Sequence, residues 1–185
     1  MTSINFDLGD GVAVRTYVPG DAEELFDLID ANRSHLRPWM IWEPATVSVE
    51  DSRKWIEDCL ARTTDVEGNG LWDGPTMIGG IGLSLDTLAN SGEIGYWLDP
   101  RYEGRGVVTR ACAKFFDFAF DELRLHRMEL SAAVENARSR AVAERLGMQQ
   151  EGIARGGCRV ADGYLDMVTY GILEDEWRVR REQDG

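Results

Sequence analysis

The sequence reads EIGYWLDPRYEGRGVVT at residues 93–109, where a predicted strand leads through a glycine-containing loop into a predicted helix. Residues 93–98 have the apolar and aromatic character of a strand, and Asp99-Pro100 ends it. From Val107 to residue 123 the apolar residues recur at helical spacing, with charged residues on the opposite side. This region therefore predicts a strand-loop-helix unit with one face of the helix in the core.

The loop Gly104-Arg105-Gly106 has the composition of an anion site. Glycines let backbone N–H groups come close to a ligand, and the start of a helix adds its dipole. On the residues alone, phosphate binding and a tight turn that binds nothing both remain open. A dinucleotide site fits less well, because Thr109 stands where the third glycine of Gly-x-Gly-x-x-Gly would be.

Periodicity and capping residues predict the elements on either side of this unit. Asp21 with Glu24 resembles a capping box at the start of one helix, and Ser48 with Asp51 indicates the start of a second. The glycine-rich residues 67–70 are expected to be a break between elements. The other predicted elements are strands at 12–16, 76–85, 128–134, 148–153 and 164–173 and a helix at 137–146 closed by Gly147. The order is a strand, two helices, a meander, a helix, a strand, a helix and a closing hairpin, an α/β (α+β) pattern.

Length and composition suit one domain. With 185 residues, of which 43% are apolar, the chain is expected to form a single domain over residues 1–185 with its core at about 10–175. No apolar run reaches the roughly 18 residues of a membrane span, and the first residues lack the features of a signal peptide, so we expect a cytoplasmic protein. Three cysteines without a Cys-x-x-Cys pair, and two histidines, predict no metal site.

The formal net charge of −13 disfavours nucleic acid and anionic membranes as partners, because the long-range field opposes their approach. The same charge favours cationic amines as ligands. Acidity is also typical of soluble proteins in general, so charge excludes more than it identifies. Six Trp and six Phe in so acidic a chain predict self-association, in the simplest case as a homodimer.

Several motifs, taken in order, resemble a known family. Arg101-Tyr102-Glu103-Gly104-Arg105-Gly106 matches the Arg/Gln-x-x-Gly-x-Gly/Ala signature of the GNAT superfamily of acetyltransferases. The strand at 93–98, Asn136-Ala137-Arg138-Ser139, AERLGM at 143–148 and GYLD at 163–166 are similar to the branch that acetylates ribosomal-protein N-termini, the RimJ/RimL type. The resemblance runs over nearly the whole chain.

This resemblance implies a mixed sheet, splayed at its centre and flanked by helices, with acetyl-CoA in the gap. Backbone N–H groups at 101–107 would hold the pyrophosphate, and Trp97 and Leu98 would pair with pantetheine as an added strand would. Asn136 and Ser139 would lie beside pantetheine and thioester. The alternatives are that Asn136 is a helix N-cap and that the Ser139 hydroxyl has no role. The implied cofactor-binding residues are Trp97, Leu98, Arg101, Gly104, Arg105, Gly106, Val107, Val108, Thr109, Asn136 and Ser139.

Catalysis by this family needs a group that takes a proton from the amine, because an ammonium ion cannot attack a thioester. Glu93 resembles the strand glutamate that acts as base in histone-type members, and a solvated strand-edge carboxylate is the alternative. Ser139 resembles the serine that acts as acid in the ribosomal branch, and a backbone N–H near Leu98 would meet the oxyanion. Two positions depart from the family: Ala143 stands where many members have tyrosine, and Cys158 where the ribosomal branch has glutamate.

The connector between the first two helices is expected to bind the acceptor, with a contribution from residues 155–163. Its candidate residues are Arg33, His35, Arg37, Trp39 and Trp42. The alternative is that the aromatic residues belong to the core and the cations to a solvated rim. The resemblance favours a protein N-terminal amine as acceptor. A small amine, such as an aminoglycoside or a metabolite, and a CoA-binding module without catalysis both stay open.

Overall fold

The computed structural model describes residues 3–62 and 65–184, which form a mixed α/β structure around one eight-stranded sheet. The strands are β1 (Asn5–Gly9), β2 (Val12–Thr16), β3 (Val66–Asp73), β4 (Thr76–Asp86), β5 (Ser91–Leu98), β6 (Arg127–Ala133), β7 (Gln149–Val160) and β8 (Gly163–Leu173). The α-helices are α1 (Ala22–Ala31), α2 (Arg33–Leu36), α3 (Val49–Ala61), α4 (Val107–Asp121), α5 (Ala137–Arg145) and α6 (Glu174–Asp184).

The sheet opens between β5 and β6. Its strand order is β1-β2-β3-β4-β5-β6-β8-β7, and all neighbouring strands are antiparallel except β5 and β6. Those two pair in parallel only from Ser91 to Glu93, whereas β6 pairs with β8 along its whole length from Arg127 to Ala133. The two strands therefore part beyond Glu93, which confirms the central splay that the motifs implied.

Helices cover both faces of this sheet. On one face α4 packs with α5 and α6, and Ile94 and Leu98 of β5 belong to the same apolar cluster. On the other face α1 and α3 pack against a second cluster, to which Trp97 of β5 contributes. Consecutive strand residues point to opposite faces, so β5 contributes side chains to both clusters. The α4 side chains that are completely buried are Ala111, Cys112, Phe115, Phe116 and Ala119, as the helical spacing predicted.

Local signals for two helix starts are confirmed. The Oγ of Ser48 accepts a hydrogen bond from the Asp51 N–H at 3.3 Å and so caps α3. Asn136 caps α5 in the same way, because its Oδ1 accepts from the Ser139 N–H at 3.1 Å. These side chains satisfy N–H groups that a helix leaves without internal partners.

The capping box predicted at Asp21 and Glu24 is wrong, because both carboxylates have tertiary partners. Asp21 accepts two hydrogen bonds from the guanidinium of Arg15, at 2.8 and 2.9 Å, and one from the Val18 N–H. Glu24 accepts from the backbone N–H of Met77 at 2.7 Å, which ties α1 to β4. Sequence spacing alone does not reveal partners that lie on other strands.

The break predicted at residues 67–70 is also wrong, since these residues lie inside β3. Glycine serves packing there: a β-carbon at Gly70 would lie 2.6 Å from the indole nitrogen of Trp72 and 2.7 Å from the ring of Tyr17. Two residues outside the expected core at 10–175 pack in the hydrophobic cluster. Ile4, on the N-terminal side, and Trp177 of α6 are both buried in it.

Candidate active site

A cleft of about 1180 Å³ lies where β5 and β6 part. Its walls are β5 from Ile94 to Leu98 and β6 from Leu130 to Ala133, and its ends are the glycine loop and the start of α5. The structure brings many of the predicted site residues to this cleft. These are His35, Trp39, Trp97, Leu98, Gly104, Gly106, Val107, Val108, Thr109, Asn136 and Ser139.

The glycine loop presents free backbone donors to the cleft. Gly104 and Gly106 have φ angles of +74° and +69°, in the left-handed region that favours glycine. The first hydrogen bond of α4 runs from the Arg110 N–H to the Gly106 carbonyl at 3.0 Å. Across residues 3–62 and 65–184, the N–H groups of residues 104–109 have no protein acceptor. Six such groups at the start of a 15-residue helix form an anion site, strengthened by the helix dipole.

Arg101 does not contribute its N–H to this site, which corrects the expectation for the start of the loop. That N–H donates to Oδ1 of Asp99 at 2.9 Å, and the Arg101 side chain donates to both Asp99 oxygens. The N–H groups of Tyr102 and Glu103 are bonded to the carbonyls of Asp99 and Pro100. The hydrogen bonds from Arg101 hold the pKa of the buried Asp99 carboxyl below its usual range. Arg101 therefore anchors the loop rather than lining the cleft.

Arg105 does not line the cleft either. Its guanidinium lies over the ring of Tyr102, 4.9 Å from the centroid, and its carbonyl accepts from the Arg110 side chain at 2.9 Å. In the sequence, Arg105 nevertheless lies directly between Gly104 and Gly106. It therefore adds positive charge beside the free N–H groups.

Two hydroxyl groups meet across the cleft. The Tyr96 hydroxyl, from β5, lies 2.9 Å from the Oγ of Ser139 in the first turn of α5. Burial raises the pKa of Tyr96, so the phenol stays protonated near neutral pH. Sequence reasoning missed Tyr96, because nothing in a strand motif shows that a helix more than forty residues later faces it. The pair can donate a proton to a leaving group between the parted strands.

A second pocket, of about 480 Å³, lies on the α1 and α3 side of β5. It shares Met40, Gly95, Tyr96 and Trp97 with the cleft, so the two spaces meet at β5. Trp42 lines this pocket and packs against Trp97, with ring centroids 6.1 Å apart. The predicted role of Trp42 at a ligand surface is thus placed here rather than in the cleft.

Glu93 lines neither space. Its side chain is exposed on β5, at the last position where β5 pairs with β6. The pocket contains a different glutamate, Glu67 of β3, which accepts a hydrogen bond from Ser84 Oγ at 3.0 Å and is ion-paired with Arg62. The strand register of β3 against β4 brings Glu67 there, and no sequence motif indicates this position. The structure therefore does not support Glu93 as the carboxylate nearest the acceptor.

The connector residues divide between the cleft and the surrounding structure. Arg33 donates to Asp30, to the buried carboxylate of Glu43 at 2.8 Å and to the Thr46 carbonyl at 2.7 Å, so it holds the connector together. Arg37 is exposed and lines neither space. Arg33 and Arg37, which were predicted to bind the acceptor, therefore lie outside the linings of both spaces.

His35 belongs to a charged bridge at the mouth of the cleft. Its Nε2 lies 3.4 Å from Oε1 of Glu103, whose Oε2 is 2.5 Å from the guanidinium of Arg138. The three residues come from α2, the glycine loop and α5, and all line the cleft. The bridge joins the connector between the first two helices to both ends of the cleft.

Within the described ranges, no group of three or more His, Cys, Asp or Glu side chains is arranged to hold a metal ion. None of the described helices combines the length and apolar character that a membrane crossing requires.

Comparisons with known proteins agree with this geometry. Residues 12–149 match the family model "Acetyltransferase (GNAT) domain". Over 171 residues, which are 90% of this chain and 93% of the other, the sequence is 39% identical to "Putative ribosomal N-acetyltransferase YdaF" of Bacillus subtilis (strain 168). It is 29% identical over 160 residues, 85% of this chain and 83% of the other, to "Spermidine N(1)-acetyltransferase" of Escherichia coli (strain K12).

A solved structure described as a "Probable acetyltransferase" superposes with a TM-score of 0.86 at 36% identity, over 94% of this chain and 99% of that one. The splayed sheet, the free N–H groups of the glycine loop and these matches lead to one conclusion. The chain belongs to the GNAT family of N-acetyltransferases, and it is similar to the ribosomal-protein branch of that family.

Proposed function

We propose that this chain transfers the acetyl group of acetyl-CoA to the N-terminal amine of a protein. The observation that carries the proposal is the set of N–H groups at residues 104–109, which have no acceptor in the described structure. All of these residues except Arg105 line the cleft between the parted strands. Backbone donors at a helix start are suited to phosphate, and acetyl-CoA carries a pyrophosphate. Acetyl-CoA also supplies the activated acetyl group as a thioester.

The cleft fits the rest of the donor. Beyond Glu93 the edge of β5 has no strand beside it, so its backbone groups are open to the amides of an extended pantetheine arm. Trp97 and Leu98 line this edge, and Asn136 and Ser139 face it from α5. A backbone N–H on the same edge, near Leu98, would stabilise negative charge on the thioester oxygen.

The hydroxyl pair of Tyr96 and Ser139 would protonate the departing thiolate. The 2.9 Å hydrogen bond between the two oxygens uses one hydroxyl proton, which leaves the other hydroxyl proton available for a leaving group. A thiol has an ordinary pKa of about 8.5, so the thiolate leaves tolerably even without an acid. The contribution of this pair to the rate is therefore modest compared with activation of the amine.

The acceptor amine would enter from the second pocket, which meets the cleft at Gly95, Tyr96 and Trp97. Glu67 lines that pocket and can take the ammonium proton directly or through a water molecule. Glu93 is exposed and lines neither space, although it lies on the same face of β5 as Gly95. The base assigned to Glu93 from the family resemblance thus moves to Glu67 in this proposal.

A protein N-terminus is favoured as acceptor because the relative at 39% identity is named as a ribosomal N-acetyltransferase. A polyamine is the second candidate, favoured by the spermidine acetyltransferase relative and by the net charge of −13. Against it, most side chains that line the pocket are apolar, and a polyamine needs several free carboxylates.

The test is release of free CoA thiol from acetyl-CoA in the presence of three acceptor classes: peptides with free N-termini, spermidine and an aminoglycoside. Acetylation of peptides, lost when the same peptides carry a blocked N-terminus, is the expected result. Turnover only with spermidine or the aminoglycoside would contradict the protein acceptor. No turnover with any class, together with tight CoA binding, would favour a binding module.

Four other expectations stay predictions: a single domain, a homodimer, a cytoplasmic location and no binding of nucleic acid. Sedimentation of the purified chain and limited proteolysis test the first two.

A further inference from the structure

The floor of the second pocket consists of glycines. Gly82 of β4 pairs directly with Gly95 of β5, and Gly80 pairs with Trp97 in the same register. These residues alternate along their strands, so all of them face α1 and α3. A β-carbon at Gly95 would meet no atom within 4 Å, whereas one at Gly82 would approach the backbone of Glu67 to 3.2 Å. The missing side chain at Gly95 therefore leaves open space above the sheet.

The walls around this floor are aromatic and aliphatic. Trp42, Trp55 and Trp97 surround the space, with Leu25 and Ile29 of α1 behind them. Trp55 lies at the rim and is 43% exposed, which is unusual for a tryptophan in an acidic chain. A pocket of about 480 Å³ with such walls has room for one large side chain and gains free energy by burying it.

One buried polar group in the pocket has no partner. Ser52 of α3 is 1% exposed and lines the pocket, and its Oγ makes no hydrogen bond with any residue that the structure describes. A buried hydroxyl without a partner is unfavourable, and an apolar side chain would leave it unpaired. The choice of occupant therefore rests on the glycine floor and the apolar walls.

The charged groups of the pocket do not suit a polycation. Glu67 is already ion-paired with Arg62, and Asp51 accepts hydrogen bonds from Ser48 Oγ and the Val47 N–H. Asp51, the other carboxylate that lines the pocket, lies within the electrostatic range of Lys54. The occupant is therefore expected to carry little charge beyond the reacting amine.

We propose that this pocket binds a large apolar side chain on the N-terminal residue of the acceptor, and that Gly95 sets the size that fits. The proposal rests on the function proposed above. The pocket and the cleft share Gly95 in their linings, so an amine held at their border would place the side chain of its own α-carbon in the pocket. Peptides that begin with leucine or phenylalanine would then be better acceptors than the same peptides that begin with glycine.

The experiment compares kcat/KM for peptides that differ only in their first residue: glycine, alanine, leucine and phenylalanine. The wild-type chain is expected to prefer leucine over glycine by roughly tenfold or more, the scale of a few buried methylene groups in a fitted pocket. In Gly95→Val this preference ratio should fall by about tenfold, because the new side chain fills the space. Gly152→Val is the matched control, since Gly152 also lies in a strand with no atom within 4 Å of its β-carbon and lines neither space.

Trp55→Ala is a second variant at the rim, where removal of the ring should raise KM for the leucine peptide more than for the glycine peptide. Thermal melts confirm that each variant is folded. Equal rates for all four peptides in the wild type would overturn the pocket assignment while leaving the N-acetyltransferase function intact. A Gly95→Val chain with an unchanged leucine-to-glycine ratio would overturn it as well. Turnover of spermidine without any peptide turnover would instead reject the protein acceptor, and the pocket proposal with it.

Discussion

Gly104→Val is the most direct perturbation of the donor site. Gly104 has a φ of +74°, and a β-carbon at this position would meet no protein atom within 4 Å. The folded chain therefore has space for the side chain, and the penalty lies in the backbone conformation. The left-handed region costs an L-residue about 1–2 kcal/mol.

This backbone penalty translates into lost affinity for acetyl-CoA. Without ligand the loop can relax and relieve the strain, but binding requires the N–H groups of residues 104–109 to point at one anion. A penalty of about 1–2 kcal/mol corresponds to a roughly five- to thirtyfold weaker Kd. The isopropyl group would also point into the space near the pyrophosphate. The lower end of this range is therefore the minimum expected loss of affinity.

Calorimetry of CoA binding measures this effect. Gly74→Val is the matched control, because Gly74 has a φ of +55°, an equally open surrounding and a place in the turn between β3 and β4. Its strain should lower the melting temperature without changing the affinity for CoA. A folded Gly104→Val chain that binds CoA as the wild type does, or an equal loss in Gly74→Val, would show that residues 104–109 do not hold the phosphates.

Three further results are expected from the same site. Tyr96→Phe should lower kcat by about tenfold and Ser139→Ala should lower it by less, because a thiolate leaves readily and the phenol can still donate a proton without the serine. Steady-state rates at saturating substrates measure both effects. A larger loss in Ser139→Ala would reverse the two roles. Glu67→Gln should lower turnover by roughly 10²-fold near pH 7, with partial recovery as the pH rises and free amine accumulates. Glu93→Gln should change turnover little. If the pH–rate profiles show the larger loss in Glu93→Gln, the base is Glu93 and not Glu67. Because the folded-state pKa of Asp99 is lowered, its carboxylate stabilises the fold above the ordinary pKa of about 4, and this stabilisation is lost as the pH falls further. In denaturant titrations, the stability advantage of the wild type over Asp99→Asn should therefore shrink below that pH. A stability difference that stays constant with pH would contradict this role of Asp99.

Features that depend on a few consecutive residues were predictable from the sequence. The cap at Ser48, the amphipathic helix α4 and the glycine loop each follow from spacing within one or two turns of chain. The splayed sheet was predictable for a different reason, since it followed from resemblance to a family. No spacing in β5 or β6 indicates that the two strands part after Glu93.

Features that depend on contacts between residues far apart in the chain were not predictable. Residues 67–70 look like a loop by composition, yet Gly70 makes room for Trp72 and Tyr17 inside β3. Arg33 looks like a ligand-binding cation, yet its partners Glu43 and Thr46 follow ten or more residues later in the same connector. In both cases the sequence shows the residue type but does not show which residues it contacts.

In the reaction proposed above, the two hydroxyl groups of the site compensate for a departure from the family. Ala143 stands where many members have a tyrosine, and in this structure it is completely buried in the core and absent from the cleft. The phenol comes instead from the opposite wall, where Tyr96 of β5 reaches Ser139 at 2.9 Å. Because strand and helix face each other only where β5 and β6 part, the splay that admits the donor also brings this pair together.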